Sequence, residues 1–181
     1  MAVMDEGEIS TSDLIQPKIE GEIAFVLGRD LKGPGITVVD AIGAVDYAVA
    51  ALEIIDSRIK DWKITAVDTI SDNGSSARFV LGGIKRPLAG LNLPHLGMCL
   101  SKNGEVALTA AGAAVMGNPL NALVFLANEL GSQGELLKAG QVVLSGSLGG
   151  MIAVRPREFY SCEIASLGRV SVRAEARETR P

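Results

Sequence analysis

The chain has 181 residues, of which 48% are hydrophobic, 21% are charged and only 4% are aromatic, and its net charge is −4. The length suffices for one packed domain, and the acidic balance excludes a nucleic-acid partner. No apolar run approaches the roughly 18 residues of a membrane span. Because Cys99 and Cys162 lie far apart without a CxxC motif, a reduced cytoplasmic protein is favoured. We predict one catalytic-type domain over residues 1–181, with an extended lead-in (1–16) and a polar tail (174–181).

Alternating apolar side chains predict a strand over residues 19–27. Because residues i and i+2 share a face of a strand, Glu20 and Glu22 are expected on the same side. After a turn and a short helix, β character returns over residues 47–56, with Glu53 in the middle.

Helix-start signals predict three short helices, over residues 37–46, 65–72 and 118–130. The first begins with the capping box Thr37–Asp40, and the last begins with an asparagine cap followed by a proline. The remaining predicted elements are strands, including a hairpin that turns at Asn103-Gly104. These strands lie over residues 78–81, 98–108, 141–145, 152–154, 160–164 and 170–173. Strands outnumber helices, which indicates a β-rich α+β fold.

Glu20, Glu22 and Glu53 are three carboxylates in otherwise apolar strands. Carboxylates are rarely buried unless they are paired or bind a metal. Glu20 and Glu22 would lie roughly 7 Å apart on one strand, so a third carboxylate from a neighbouring strand could complete a site. Oxygen ligands favour a hard divalent cation. The alternative is a solvated strand face, which the apolar neighbours Leu52 and Ile54 disfavour.

Two loops of small residues are candidate ligand-binding segments. Residues 72–76 form a polar turn that could present hydroxyl groups, although such turns often only connect elements. Residues 144–150 follow a predicted strand and could offer backbone N–H groups to a carboxylate. This loop matches neither a Walker A motif, GxGxxG nor GxSxG. A Ser-His-Asp triad is also disfavoured, because we interpret the single histidine, His95, as structural.

Four charged residues near these segments each have two interpretations. Asp56 and Arg58 predict a structural ion pair, with contact of Arg58 to an anionic substrate as the alternative. Lys18 and Lys63 are candidate proton shuttles, but solvated surface lysines are commoner.

An ordered set of short motifs spans the chain from about Ile9 to Arg173. The motifs lie at residues 16–25 (QPKIEGEIAF), 33–35 (GPG), 53–59 (EIIDSRI), 61–64 (DWKI), 72–76 (DNGSS), 103–105 (NGE), 110–114 (AAGAA), 117–119 (GNP) and 138–148 (KAGQVVLSGSL). This set resembles the 2-oxopent-4-enoate (2-hydroxypenta-2,4-dienoate) hydratases of the fumarylacetoacetate hydrolase superfamily. The 4-oxalocrotonate decarboxylases of the same superfamily are closely similar.

The resemblance implies a mixed β-roll with flanking short helices and a metal site. Glu20, Glu22 and Glu53 match the family's three carboxylate ligands for Mg²⁺ or Mn²⁺. The expected substrate-binding residues are Ile23, Ser75, Ser145, Gly146 and Ser147. The catalytic residues stay unknown, with Lys63 and Asp72 as candidates.

The activity implied is addition of water to 2-hydroxypenta-2,4-dienoate, which gives 4-hydroxy-2-oxopentanoate in aromatic meta-cleavage degradation. The cation would act as a Lewis acid on the 2-oxo group. The alternatives are decarboxylation of 4-oxalocrotonate (2-oxo-3-hexenedioate) and, more weakly, hydrolysis of an acylpyruvate. Residues 20–25, 61–64 and 144–148 favour the hydratase branch. The resemblance also implies a homo-oligomer that can associate with a decarboxylase partner.

Two departures from the family pattern affect these expectations. Family members usually carry an N-terminal segment that supplies an active-site lysine and an acidic residue, and this chain begins after it. We therefore also expect that the chain could be a truncated metal-binding subunit with weak activity. The second departure is Pro156-Arg157-Glu158, which stands where the family usually has a Pro-Gly-Asp turn.

Overall fold

The computed structural model describes residues 1–175, which form two β-sheets with short flanking helices. The strands are β1 (Ala2–Val3), β2 (Gly7–Ile9), β3 (Lys18–Leu27), β4 (Val45–Ile55), β5 (Ser76–Leu81), β6 (Gly97–Lys102), β7 (Glu105–Ala111), β8 (Val142–Leu144), β9 (Ile152–Ala153), β10 (Phe159–Ile164) and β11 (Gly168–Ala174). The α-helices are α1 (Val38–Ala44), α2 (Ala66–Ser71) and α3 (Pro119–Ser132). Short 3₁₀ turns occupy Lys60–Trp62, Asn73–Ser75, Leu93–His95 and Gly112–Ala114.

The first sheet has the order β1–β5–β4–β3–β8, with β9 also paired to β3. Its centre is the antiparallel pair of the two longest strands, β3 and β4. The second sheet has the order β2–β11–β10–β6–β7. Both β1 and β2 pair in parallel with their neighbours, whereas the other pairs are antiparallel. The fold is therefore the β-rich α+β class that the strand pattern predicted.

The main core lies between the two sheets, where β3 and β4 contact β6, β10 and β11. One face of β3 and β4 supplies fully buried apolar side chains to this core, and the second sheet supplies the opposing ones. The largest of these side chains are Ile19, Ile23, Phe25, Leu52, Ile54, Leu100, Tyr160 and Ile164. Burial of such side chains is the main stabilising contribution in a fold of this kind.

Most predicted elements form close to their predicted bounds. Thr37 caps α1 with the reciprocal capping box, and Thr65 does the same for α2 with Asp68. Asn118 caps α3, whose first residue is a proline. The helix α1 ends at Ala44 because the next residue already belongs to β4.

The lead-in over residues 1–16 is more structured than a simple extended segment. It contributes β1 to the edge of the first sheet and β2 to the edge of the second. The predicted polar tail begins inside β11, since Ala174 pairs with Ile9, and residues 176–181 lie outside the described residues. None of the described helices is both long and apolar enough to cross a membrane.

Candidate metal centre

Glu20, Glu22 and Glu53, hereafter the carboxylate cluster, converge on one face of the first sheet. The antiparallel register places Glu20 directly opposite Glu53 and Glu22 opposite Ala51. One carboxylate oxygen from each glutamate lies within 4.8 Å of the other two. Glu22 is only 1% exposed, while Glu20 and Glu53 are partly buried. The pairing of β3 and β4 therefore brings together the three residues that sequence reasoning selected.

Burial and the neighbouring carboxylates raise the proton affinity of Glu20 and Glu22. Burial, followed by the nearby charge of Glu53, raises the pKa of Glu20 to about 7. Burial and the charges of Glu53 and Glu20 raise the pKa of Glu22 well above its usual range. A buried carboxylate group of this kind needs protons or a cation to offset its charge. Three hard oxygen donors without histidine or thiolate fit a divalent cation of the Mg²⁺ or Mn²⁺ type.

The segment of residues 145–150 following β8, hereafter the glycine loop, fixes the orientation of Glu22. The Gly146 N–H donates a 2.7 Å hydrogen bond to a carboxylate oxygen of Glu22. The Ser145 and Leu148 N–H groups donate 3.0 Å bonds to the carbonyl oxygens of Ile23 and Gly21. Gly146 has φ +97°, a conformation that glycine adopts without strain. The loop thus extends the edge of β3 and directs one backbone donor at the cluster.

The predicted substrate-binding residues of this loop lie beside the cluster, but their hydroxyl groups have local partners. The buried Ser145 hydroxyl donates to the Gly146 carbonyl at 3.2 Å, and the Ser147 hydroxyl donates to the Gly149 carbonyl at 2.7 Å. The Ile23 side chain points into the core, so only its backbone meets the loop. A substrate role for these residues stays a prediction.

The polar turn at residues 72–76 is built around an ion pair with a different partner from the predicted one. Arg58 pairs with Asp72 at 2.5 Å, and this contact lowers the pKa of Asp72. The prediction of an Asp56–Arg58 pair is wrong, because the Asp56 carboxylate accepts backbone N–H groups of the lead-in instead. Ser75 is buried, and its hydroxyl donates to Asp72 at 3.2 Å. Among the catalytic candidates, Asp72 is therefore committed to a structural network, whereas Lys63 is exposed.

Sequence reasoning named Lys18 as a candidate proton shuttle but did not place its charge beside the carboxylate cluster. Lys18 is two residues before Glu20 on β3, and its charge lowers the pKa of Glu20. Its ammonium nitrogen lies 4.3 Å from the ring centroid of Trp62. The strand periodicity that grouped Glu20 with Glu22 also places Lys18 on their face, so this signal was present in the sequence.

An apolar surface continues from the carboxylate cluster along the same face. The buried residues Ala24, Val49 and Ala51 form a small cluster there, with the partly buried Leu81 and Leu144 packed against it. A cavity of about 940 Å³ adjoins this surface. Its lining residues are Met1, Asn73, Gly74, Ser76 and Phe79 near one edge of the first sheet, and Leu126 of α3 with Leu137, Gln141, Val142, Val143 and Leu144 near the other. Leu144 therefore belongs both to the apolar cluster and to the lining of the cavity.

Comparison with known proteins assigns this arrangement to a family. The sequence profile described as "Fumarylacetoacetate (FAA) hydrolase C-terminal" matches residues 3–174. The chain belongs to this family, and its fold is the fumarylacetoacetate hydrolase type.

Within this family, the chain is similar both to 2-keto-4-pentenoate hydratases and to a 4-oxalocrotonate decarboxylase. The chain is 48% identical over 178 residues to a 2-keto-4-pentenoate hydratase of Paraburkholderia xenovorans (strain LB400), covering 98% of this chain and 66% of that protein. It is 41% identical over 172 residues to a 4-oxalocrotonate decarboxylase of Pseudomonas putida, covering 95% of this chain and 65% of that one. The chain thus spans slightly less than two thirds of the length of these relatives.

A solved structure gives the same result for the fold. The 4-oxalocrotonate decarboxylase from Pseudomonas putida G7, complexed with magnesium and adipate, superposes with a TM-score of 0.92 at 40% identity. The match covers 96% of this chain and 66% of the decarboxylase chain.

Proposed function

We propose that this chain carries the metal centre of a hydratase that adds water to 2-hydroxypenta-2,4-dienoate (2-oxopent-4-enoate) and forms 4-hydroxy-2-oxopentanoate. The observation that carries the proposal is the convergence of Glu20, Glu22 and Glu53 within 4.8 Å in a sheet that otherwise buries apolar side chains. Such a cluster costs stability unless a cation occupies it, so its presence argues for a functional site.

In this proposal the three glutamates hold a divalent cation, Mg²⁺ or Mn²⁺. When bound, the cation supplies Lewis acidity toward the 2-oxo and carboxylate oxygens of the acid. The Gly146 N–H keeps Glu22 aligned through its 2.7 Å hydrogen bond. A donor in this position typically sets both the orientation and the basicity of a ligand. The similarity to a decarboxylase solved with magnesium supports the choice of a hard cation.

The apolar surface beside the cluster suits the rest of the substrate. Ala24, Val49 and Ala51 are buried, carry short side chains and lie on the face of the glutamates. The partly buried Leu81 and Leu144 pack against them, and a short unsaturated carbon chain would lie against these two side chains, with its carboxylate end at the cation.

A second activity, decarboxylation of 4-oxalocrotonate, is favoured by the TM-score of 0.92 with the decarboxylase structure. The hydratase is the stronger candidate because identity is 48% to the Paraburkholderia hydratase and 41% to the Pseudomonas decarboxylase. Both reactions act on 2-oxo acids, so the same glutamates would serve either one. A cytoplasmic location, a homo-oligomer and association with a decarboxylase partner are further proposals that depend on the resemblance.

The test is an ultraviolet assay of 2-hydroxypenta-2,4-dienoate loss with Mg²⁺, Mn²⁺ or EDTA, with identification of the product. We expect metal-dependent formation of 4-hydroxy-2-oxopentanoate that EDTA abolishes and that Glu22→Gln lacks. Release of CO₂ from 4-oxalocrotonate, without hydration of the dienoate, would favour the decarboxylase instead. Absence of both activities, together with no binding of Mn²⁺, would contradict the proposal.

A further inference from the structure

The charges at the proposed site do not balance for an anionic substrate. Three ionised glutamates carry −3, and a divalent cation reduces the total to −1. A 2-oxo acid that approaches such a site carries its own negative charge and would be repelled. The proposed function therefore calls for a further positive group beside the cation.

Lys18 is placed to be that group. It lies on β3 two residues before Glu20, and alternation puts its side chain on the face of the carboxylate cluster. The salt bridges found among residues 1–175 join Arg58 to Asp72 and Lys102 to Glu158, so none of them engages Lys18. Its ammonium group thus retains hydrogen-bond donors for an anion.

Trp62 holds this ammonium group in position. The Lys18 nitrogen lies 4.3 Å from the centroid of the indole ring, within the range of a cation–π interaction. The indole N–H donates a 3.0 Å hydrogen bond to the Gln16 carbonyl, which fixes the ring against the start of β3.

The segment that carries Trp62 is itself anchored. The Gln16 side-chain amide donates to the carbonyl oxygens of Ser57 and Ile59 at 2.8 and 2.6 Å. Asp61 and Trp62 both have positive φ, near +57° and +55°. Residues other than glycine rarely adopt this conformation unless the surrounding contacts impose it. These contacts fix the position of Trp62, and the ring in turn fixes the position of the Lys18 ammonium group. A lysine that is only solvated at the surface does not require such a fixed partner.

We propose that Lys18 is a substrate-binding residue, whose ammonium group, held over Trp62, binds the carboxylate of the 2-oxo acid at the Glu20–Glu22–Glu53 site. This inference rests on the proposed function, because it assumes that an organic anion binds there. Lys18 would set the affinity for the anion, whereas the glutamates would set the affinity for the metal.

The test measures anion binding without turnover. The Mn²⁺-loaded protein is titrated with oxalate and with pyruvate by calorimetry, for Lys18→Met, Lys18→Arg and the matched control Lys60→Met. Lys60 is an exposed lysine of the same segment. We expect Lys18→Met to weaken oxalate binding about tenfold or more, because a charge-assisted hydrogen bond is lost. Lys18→Arg should stay within about threefold of the natural protein, and Lys60→Met should change little.

Two further readouts separate substrate binding from a structural role. Trp62 is the single tryptophan of the chain, so its fluorescence reports directly on this contact. We expect oxalate to change the emission of the natural protein and not that of Lys18→Met. The affinity for Mn²⁺ should not fall in Lys18→Met, since removal of a nearby positive charge cannot weaken cation binding electrostatically.

Several outcomes would overturn the inference. One is unchanged oxalate affinity in a folded Lys18→Met protein, and another is an equal loss in Lys60→Met. If Lys18→Met does not fold, a failure of Lys18→Arg to bind oxalate would count against it in the same way. Lys18-dependent oxalate binding in a protein without hydratase activity would support this inference and contradict only the proposed reaction.

Discussion

The two faces of β3 are both largely buried, yet they act in opposite ways on stability. The face with Ile19, Ile23 and Phe25 packs against the second sheet and removes apolar surface from water. The other face carries Glu20 and Glu22, whose burial beside Glu53 disfavours their charged forms. Burial therefore stabilises the fold on one side of the strand and creates a cation-dependent site on the other.

The largest expected effect comes from neutralising the most buried glutamate. We expect Glu22→Gln to weaken Mn²⁺ binding at least about 100-fold, because a charged ligand is lost. The metal-free protein should become more stable, since an amide can still accept the Gly146 N–H without the buried charge. An increase of about 1 kcal/mol in the free energy of unfolding would raise Tm by about 2–4 °C. Calorimetric titration with Mn²⁺ and thermal unfolding in EDTA measure the two effects.

The control for this variant is Glu105→Gln, which removes an exposed carboxylate from β7. It should change neither Mn²⁺ affinity nor Tm appreciably. Glu20→Ala and Glu53→Ala are expected to abolish tight binding as well. Unchanged Mn²⁺ affinity in both would contradict the assignment of the cluster as a metal centre.

The next largest effect is expected from a substitution at Gly21, which lies between Glu20 and Glu22 on β3. Gly21 faces the core, so a change there affects both the core face and the glutamate face of the strand. A Cβ at this position would come 2.4 Å from Met98 Sδ and 2.7 Å from Cys162 Sγ. We expect Gly21→Ala to cost about 1–3 kcal/mol of unfolding free energy, as overpacking in cores does. Because the backbone must shift between the two ligands, Mn²⁺ affinity should fall too. Urea unfolding with and without Mn²⁺ gives both values.

The matched control is Gly97→Ala in β6, where no atom lies within 4 Å of the added carbon. This variant should retain the stability and Mn²⁺ affinity of the natural protein. Adding Met98→Ala to Gly21→Ala should recover part of the loss, since it makes room behind the strand. Purely additive effects of the two changes would show that the contact is not the cause.

The smallest expected effect is the pH dependence of stabilisation by metal. The folded-state pKa of Glu20 is about 7 and the ordinary value is 4.5, so between these values the folded metal-free protein holds more protons than the unfolded chain. Its stability should therefore fall as pH rises through this window. Metal binding shows the opposite trend, because the cation must displace these protons. Affinity should fall by about tenfold per pH unit below 7 for each proton displaced.

Thermal unfolding at several pH values, with EDTA or with saturating Mn²⁺, tests the predicted direction of both pH dependences. We expect the Tm increase caused by Mn²⁺ to be larger at pH 8 than at pH 6. An increase that does not depend on pH would indicate that the cation binds away from Glu20 and Glu22. Glu22→Gln should flatten the pH dependence, which ties the effect to the cluster.

Local patterns in the sequence were enough to predict most elements and the metal-ligand candidates. The alternation over residues 19–27 defines β3 because the side-chain period of a strand is two. The Thr37–Asp40 box and the Asn118–Pro119 pair locate helix starts, since these caps act within one helical turn. The unusual presence of Glu20, Glu22 and Glu53 in apolar strands was also a local signal.

Only the tertiary structure decided which residues meet. The register of β3 and β4 sets Glu20 opposite Glu53, and a slip of one residue would turn Glu53 to the other face. Arg58 pairs with Asp72 rather than with Asp56 because a turn 14 residues later folds back onto it. The meeting of Lys18 with Trp62, 44 positions along the chain, likewise depends on the long-range bond from Trp62 to Gln16. The sequence by itself determined the strands, the helix caps and the three candidate metal-binding glutamates. The strand register, and the loops that bring Asp72 to Arg58 and Trp62 to Lys18, depend on packing between distant residues, and they decided the geometry of the site.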